Sequence, residues 1–586
     1  MQIFSLIDMK KIIVACLCLF FVSVVFNLPQ GVDYDLWWHL KYAQLCIDTG
    51  KLALDHSIFS WTPAANEWRY VAWLGDVIFY AFYQLGFMPV FYLINTAILC
   101  AIFYVYRNYL NTIGDKITLS NILGLLLFVL IVSPMLYKPE VFSLLFLAIS
   151  IYIYFEAKIR NRPYFYWYPL LFLVWVNTHG LFIFGYALLL LLFTGELLTW
   201  LFKRNEALPI GMLKALFFST AFSSIALCIN PYGIGYLTYL FYMFISPSYS
   251  KYFDNMVAYM NLWSFLTPGN KSVNVISVAW YLIFMFILFL IAYTNAYMKE
   301  RKLNISILLC NSLTFILSMQ FARTAFFYPI IWLFSLPFLC RGGLEKILPK
   351  RLTIIIFVLI ISLSLIDIKT VMTTYQKKTW FGINYMEWMP VAEADFIKKN
   401  HLPGPLFNDF LSGGYLIWSL YPEYKVFIDP RYGPYSDEVL ADWAIIRNNL
   451  TKATFDHIVE KYRFRTALIH YREEPLIDQF FSSPDWSVVF FGHTAAVFVR
   501  KPFVDEIFSK QDAEFPAASR FSTLDDPVAL IGIFNMYSST AHLPDLYVIR
   551  DIYMRNVPKY FYNRNTHLSA MNKIIKIHEQ KQRGTP

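Results

Sequence analysis

A chain of 586 residues that is 58% hydrophobic and only 15% charged, with a mean hydropathy of +0.47, is too apolar for a soluble protein of this size and reads as a multi-pass membrane protein. Its net charge of +9 is spread through short clusters between apolar runs and forms no basic patch on a polar domain, which excludes nucleic acid as the partner and leaves the clusters to set orientation. The seven cysteines, of which Cys46 alone lies in a polar loop, carry neither a disulfide framework nor a metal-ligand spacing.

The first apolar run, IIVACLCLFFVSVVFNL at 12–28, comes after Lys10 and Lys11 and lacks a small-x-small cleavage site, so it is expected to remain as an uncleaved first span. Further runs of spanning length occur near 89–106, 119–136, 142–157, 164–180, 181–202, 212–230, 274–297, 303–321, 324–340 and 352–372, for eleven spans in all. The aromatic stretch VAWLGDVIFYAFYQLGF at 71–87 carries Asp76 and is read as a helix lying at the interface. With the amino terminus inside, seventeen Lys and Arg fall on the inner side and seven in the outer connections. Counting 71–87 as a span would move Arg107 and Lys116 to the wrong side, and everything after residue 372 is therefore expected outside.

Residues 1–372 are accordingly expected to form one helical membrane domain whose first outer loop is 29–88. Residues 373–514 are polar, with apolar runs too short to span. There YKVFID, TALIHY, SVVFFG and AAVFVR read as strands and VAEADFIKKN and TFDHIVEKY as helices, an α/β alternation. In SGGYLIW, Gly413 and Gly414 precede an aromatic strand and mark a tight turn or close backbone approach; Asp429 and Arg431 around Pro430 suit a local ion-paired turn. Residues 515–586 read as a helical tail.

Ionisable groups within or beside spans are costly to keep there, which makes each a candidate for function. GVDYDLWWHLKYAQ at 31–44 sets Asp33 and Asp35 just past the first span, and the helical spacing of LWWHLKYAQLCI lays that segment along the membrane surface with His39 one turn beyond Asp35. SPMLYKPEVFS brings Lys138 and Glu140 to the next outer connection, and LVWVNTHGLF puts His179 at the outer end of a span. MQFARTAFFYP puts Arg323 at another outer end with no sequence-local acid, where a guanidinium is suited to gripping a phosphate. Each has a plainer alternative: Glu140 as a helix-start carboxylate, His179 as a hydrogen-bonded interfacial residue, Arg323 as a snorkelling anchor. The interiors of the spans hold few acids.

On these residues the chain resembles a family. DLWWH, Asp35 to His39, is similar to the D-x-Y-Y-H variant of archaeal oligosaccharyltransferase catalytic subunits, and TGKLALDHSIFSWT at 49–62 to their G-x-x-P-x-x-D continuation without its Pro. Those subunits are glycosyltransferases of the C superfold (GT-C), which also takes in protein mannosyltransferase-like enzymes. The resemblance implies a GT-C-like helical membrane protein with a cytoplasmic amino terminus and an extracytoplasmic α/β domain, set among the lipids of a bacterial inner membrane or its archaeal equivalent. It implies a sugar donor carried on a polyprenyl phosphate and inverting transfer to a glycan, lipid or protein acceptor on the outer side. Asp35, or Asp33, would act as base with Glu140 assisting; His39, Lys138, His179 and Arg323 would bind substrate, Arg323 at the donor phosphate. A divalent ion, Mg or Mn, would sit on Asp35 and Glu140.

The second acidic motif has one acid here in place of a pair, and the W-W-D-Y-G acceptor motif is absent, which argues for single-sugar transfer over transfer of a whole glycan to protein Asn. No phosphate-cradling Gly-rich loop, G-x-S-x-G elbow or H-E-x-x-H occurs. Two other readings stay open. One is a non-catalytic GT-C-like protein of envelope glycan assembly, for which changes in SGGYLIW would harm more than Asp35→Asn. The other is a lipid or polysaccharide transporter, which broken spans with internal acids would favour.

Overall fold

The computed structural model describes residues 34–64, 68–86, 88–115, 139–202, 206–245, 261–266, 273–300, 303–341, 343–349, 389–492, 494–507, 518–522, 527–539, 543–557 and 564–582, with isolated positions between 118 and 128 and between 351 and 362. The chain forms two compact units. A helical unit comprises Met1–Pro29, Cys46–Ala53 and Arg69–Met372, and a mixed unit comprises Gln30–Leu45, Leu54–Trp68 and Thr373–Pro586. The boundary therefore runs through residues 29–88, which the sequence assigns whole to the membrane domain.

In the helical unit six helices among the described residues are long and apolar enough to cross a bilayer: Leu93–Thr112, Glu140–Arg160, Phe182–Leu201, Ile210–Leu227, Val278–Lys299 and Ala322–Leu339. They mark an integral multi-pass membrane protein, and each falls on an expected span. Glu140–Arg160 shows why such a helix begins and ends where it does. Glu140 complements the positive end of the dipole in its first turn, Lys158 and Arg160 the negative end in its last, and Asn161 closes it in a left-handed conformation at φ 52°. Its 21 residues rise about 32 Å, enough for the hydrocarbon core.

Other expected spans come out shorter. The run at 303–321 is the 16-residue helix Ile305–Gln320. The run at 164–180 is a 3-10 turn, Tyr164–Trp167, leading into the 11-residue helix Tyr168–Thr178. Trp73–Gly86, at 14 residues, is too short to cross, as expected of 71–87. A 12-residue apolar helix, Ile234–Ile245, has no counterpart among the expected spans. The run at 12–28 and most of 119–136 and 352–372 lie outside the described residues.

Buried aromatic side chains bring polar tips that must be paired, and here they meet backbone carbonyls: Trp332 donates to Met285 at 2.7 Å and Tyr168 to Ser150 at 2.8 Å. Trp175 stacks on Phe172 at 5.7 Å, and a Cβ on Gly185 of the neighbouring helix would run into its ring, so only glycine admits the indole there.

The mixed unit is built on a four-stranded sheet in the order β1-β2-β4-β3, from β1 (Leu406–Asn408), β2 (Thr466–His470), β3 (Trp486–Phe491) and β4 (Ala495–Arg500). β1 and β2 pair in parallel, Leu406 opposite Thr466, and the crossover between them carries the helices Phe410–Leu420, Asp437–Asn448 and Lys452–Tyr462. The pairs β2/β4 and β4/β3 are antiparallel. Every residue of β2 is buried, as befits a central strand with Ala467, Leu468 and Ile469 in a row. TALIHY, SVVFFG and AAVFVR are thus strands as expected, and helices fall on VAEADFIKKN, TFDHIVEKY and, at Pro527–Ser539 and Arg564–Gln582, on the tail.

Two expectations are overturned. YKVFID forms no strand; its contribution is an isolated bridge from Val426 to Ser60. SGGYLIW lies inside the Phe410–Leu420 helix, capped by the Asp409 carboxylate, which accepts from the Ser412 amide. The glycines do serve close approach. A Cβ on Gly413 would meet the Ile428 carbonyl, and one on Gly414 the carbonyl of Tyr34 in the helix Tyr34–Thr49. Trp37 of that helix meets Tyr415 edge-on at 5.0 Å, and Trp61 of the adjoining loop donates to the Leu406 carbonyl at 2.8 Å.

Candidate functional site

In the helical unit the fold gathers three of the residues singled out by position alone. Glu140 opens its helix, 5% exposed, and accepts a hydrogen bond from Arg323 Nη2 across 183 positions of chain. Arg323 thus has an acid partner that its local sequence could not reveal. Its own side chain is one-third exposed, 33% against 6% for Glu140, so the pair is open on the arginine side. His179, at the end of the Tyr168–Thr178 helix, places Nε2 3.9 Å from the same Glu140 oxygen, too far for a hydrogen bond.

Behind these stands a polar chain that sequence reasoning missed. Trp175 Nε1 donates to Ser143 Oγ at 2.9 Å, and Ser143 Oγ lies 2.9 Å from His179 Nδ1. A serine inside an apolar helix carries no sequence signal of its own. Ser143 faces the cluster because it is three residues beyond Glu140 and so shares its side of the helix.

A narrow apolar cleft with about 30 Å³ of free space includes Thr324, the neighbour of Arg323, and is lined besides by Leu147, Phe184, Leu188, Leu317, Phe327 and Ile331. Its few hydroxyls are turned inward: Ser318 donates to the Thr324 carbonyl at 2.9 Å and Thr324 to the Leu317 carbonyl at 2.8 Å. The wall presented to an occupant is therefore hydrocarbon.

One buried acid, Glu196, lies within a span and is paired from the last turn of another. Lys158 and Glu196 form a buried ion pair at 2.5 Å, and the same Glu196 oxygen accepts from Tyr154 and, at 2.7 Å, from Ser306. The Glu within LLLLLFTGELLTW is the available signal; Lys158 reads from sequence only as an orienting charge.

Asp35 and His39 belong to the mixed unit. Asp35 accepts from Trp38 Nε1 at 3.2 Å, and the Trp38 ring stacks on His39 at 3.7 Å between centroids, leaving His39 buried. Asp35 also acts on Tyr432, whose hydroxyl is raised above its usual pKa by burial first, held down by Arg447 and raised further by Asp35. Asp33 and Lys138 lie outside the described residues.

Elsewhere in this unit Asp429 and Arg431 pair at 2.6 Å with neither side chain exposed, as the local turn predicted, and Tyr435 adds a hydrogen bond to the carboxylate. Phe59 and Trp68 cover the guanidinium at 5.0 and 5.8 Å. At the carboxyl ends of β1 and β2, burial raises Asp409 above the usual carboxylate range, against hydrogen bonds from Ser412 and the His470 amide. Burial pushes His470 down to about 3, and pushes Glu473, with help from Asp409, up to about 7.

Among the described residues no three His, Cys, Asp or Glu converge as a metal ion would require. In the helical unit Glu140 already faces a guanidinium, a poor neighbour for a second cation. The donor set there does not fit a divalent ion.

No protein-family model matches the chain, and no curated protein does. Among solved structures it is similar to the oligosaccharyltransferase of Archaeoglobus fulgidus in its apo form, with a TM-score of 0.49, 10% identity, and coverage of 81% of this chain and 72% of that one. It is also similar to the oligosaccharyltransferase AglB of the same organism, in complex with an inhibitory peptide and a dolichol-phosphate, with a TM-score of 0.45, 11% identity, and coverage of 97% and 86%. These are proteins of the kind that DLWWH resembles. At such scores the likeness does not reach the residues of a site, and function rests on the geometry of the site itself.

Proposed function

We propose that this chain is a membrane glycosyltransferase that moves a sugar from a polyprenyl-phosphate-linked donor to an acceptor on the extracytoplasmic side. The supporting observation is the union, within the helical unit, of a partly open arginine and an apolar cleft. A phosphate diester on a hydrocarbon tail needs both: a guanidinium to match its oxygens, and a wall that takes isoprene out of water. In the reaction an acceptor hydroxyl attacks the anomeric carbon, the bond to the phosphate oxygen breaks, and the electron pair leaves on the phosphate, where Arg323 and His179 can meet it. No step runs through a metal ion.

Hydropathy and the bias of Lys and Arg add eleven spans, an amino terminus in the cytoplasm and the mixed unit outside, and the family resemblance adds Asp35 as the group that takes the acceptor's proton. The test is transfer of a labelled sugar from a polyprenyl-phosphate donor by the purified protein in vesicles. Asp35→Asn is expected to abolish transfer with insertion unchanged, and transfer at the wild-type rate would remove Asp35 from the mechanism. A transporter remains the second reading, because Glu196 puts a buried carboxylate within a span. Flux of lipid-linked sugar across the vesicle with no new glycosidic bond would establish it over the transferase.

A further inference from the structure

We infer that Ser143 is a positioning residue that fixes the tautomer of His179, making this imidazole an N–H donor toward the anion held by Arg323. The inference rests on the lipid-phosphate reading for the identity of that anion; the tautomer itself comes from hydrogen-bond directions alone.

An indole N–H can only donate, so Trp175 occupies one lone pair of Ser143 Oγ, at 2.9 Å. The hydroxyl keeps one hydrogen, and His179 Nδ1 lies 2.9 Å away. A second donor faces the same nitrogen, the backbone N–H of Leu181 at 3.5 Å. Were Nδ1 protonated, it would point an N–H at another N–H, and Ser143 would have to accept twice with its own hydrogen unplaced. With Nδ1 bare, every direction is satisfied: Trp175 donates to Ser143, and Ser143 and Leu181 donate to Nδ1. A neutral imidazole then carries its proton on Nε2, the nitrogen 3.9 Å from Glu140 Oε1.

Nε2 and the Arg323 guanidinium therefore bring N–H groups toward one carboxylate oxygen, the arginine within bonding range of it and the imidazole just beyond. Glu140 is buried and keeps that place, so a lipid phosphate would join the exposed side of the guanidinium, with Nε2 as the second donor within reach of its several oxygens. The arrangement suits His179 to stabilising charge on a leaving phosphate, and unsuits it to taking a proton at Nε2.

The direct readout is the ¹⁵N spectrum of histidine-labelled full-length protein in lipid nanodiscs, with the His179 signal identified by its loss in His179→Gln. Wild type is expected to carry the proton on Nε2. Ser143→Ala is expected to mix the tautomers and weaken binding of a short-chain polyprenyl phosphate about three- to tenfold, the scale of one neutral hydrogen bond. Ser143→Thr, which retains the hydroxyl, should restore both. A wild type protonated on Nδ1, or a Ser143→Ala spectrum unchanged from wild type, overturns the inference. A wild type that fails to bind polyprenyl phosphate overturns the lipid reading instead, so the two failures are distinguishable.

Discussion

Each unit contains an arginine paired with a carboxylate, and the two pairs differ in what surrounds them. In the mixed unit Arg431 and Asp429 are two positions apart, sealed from solvent, joined by Tyr435 and covered by two aromatic rings. In the helical unit Arg323 and Glu140 come from distant helices, and the arginine is one-third exposed beside an apolar cleft. A sealed pair cannot trade its partner without leaving a charge stranded in low dielectric, so it fixes local structure. An open pair keeps its buried carboxylate and still turns part of its guanidinium toward a second anion, which is what a binding site needs.

The contrast breaks most visibly at Arg431. Arg431→Met leaves Asp429 buried without its counter-charge and is expected to destabilise the mixed unit by about 3–5 kcal/mol, read as early cleavage of residues 389–582 in pulse proteolysis of the full-length protein. Wild-type resistance would mean the sealed pair is dispensable. Arg323→Ala leaves Glu140 buried without its counter-charge and should cost the helical unit some stability, while leaving proteolysis of the mixed unit unchanged and weakening polyprenyl phosphate binding about ten- to a hundredfold, the scale of a charge-assisted hydrogen bond. Equal binding by the variant would reduce Arg323 to an anchor.

A subtler test lies in pH. Glu473 keeps its proton up to about pH 7 when folded against an ordinary 4.5, so it withdraws stability as pH climbs through that interval. His470 gains a proton only near pH 3 when folded against an ordinary 6.5, so it withdraws stability as pH falls through that one. Between pH 4.5 and 6.5 the two oppose each other, each worth at most about 1.4 kcal/mol per pH unit. Glu473→Gln should therefore steepen the rise of mixed-unit stability with pH across this window. Parallel curves for variant and wild type would show that Glu473 does not titrate there. The smallest effect is expected at the surface pair Lys452–Asp456, both more than half exposed, where Lys452→Ala should change stability by less than about 0.5 kcal/mol.

Six of the spans were legible because hydropathy over some twenty residues is a property of local sequence. Glu140, His179 and Arg323 stood out one at a time, since an ionisable group at a span end is conspicuous among apolar neighbours. Their assembly was not legible: Glu140 and Arg323 are 183 positions apart, and no pattern in either segment names the other. Ser143 and Trp175 were invisible for the opposite reason, being ordinary members of apolar helices. SGGYLIW misled because paired glycines and aromatic residues favour a strand by local preference, whereas the Asp409 cap and the close passage of the Ile428 and Tyr34 backbones favour a helix there. Asp429 and Arg431 were readable because both partners sit in one turn.

Glu140, Ser143 and Leu147 recur at intervals of three and four along one helix, so a single side of it carries the arginine's carboxylate partner, the imidazole's support and the first plank of the hydrocarbon wall. Seven residues of rise set the charged end about 10 Å from that plank. Head and tail of a bound lipid are thus gauged against one rigid rod. An alanine inserted between Ser143 and Leu147 would turn one end about a quarter-circle from the other, leaving every side chain intact and the gauge destroyed.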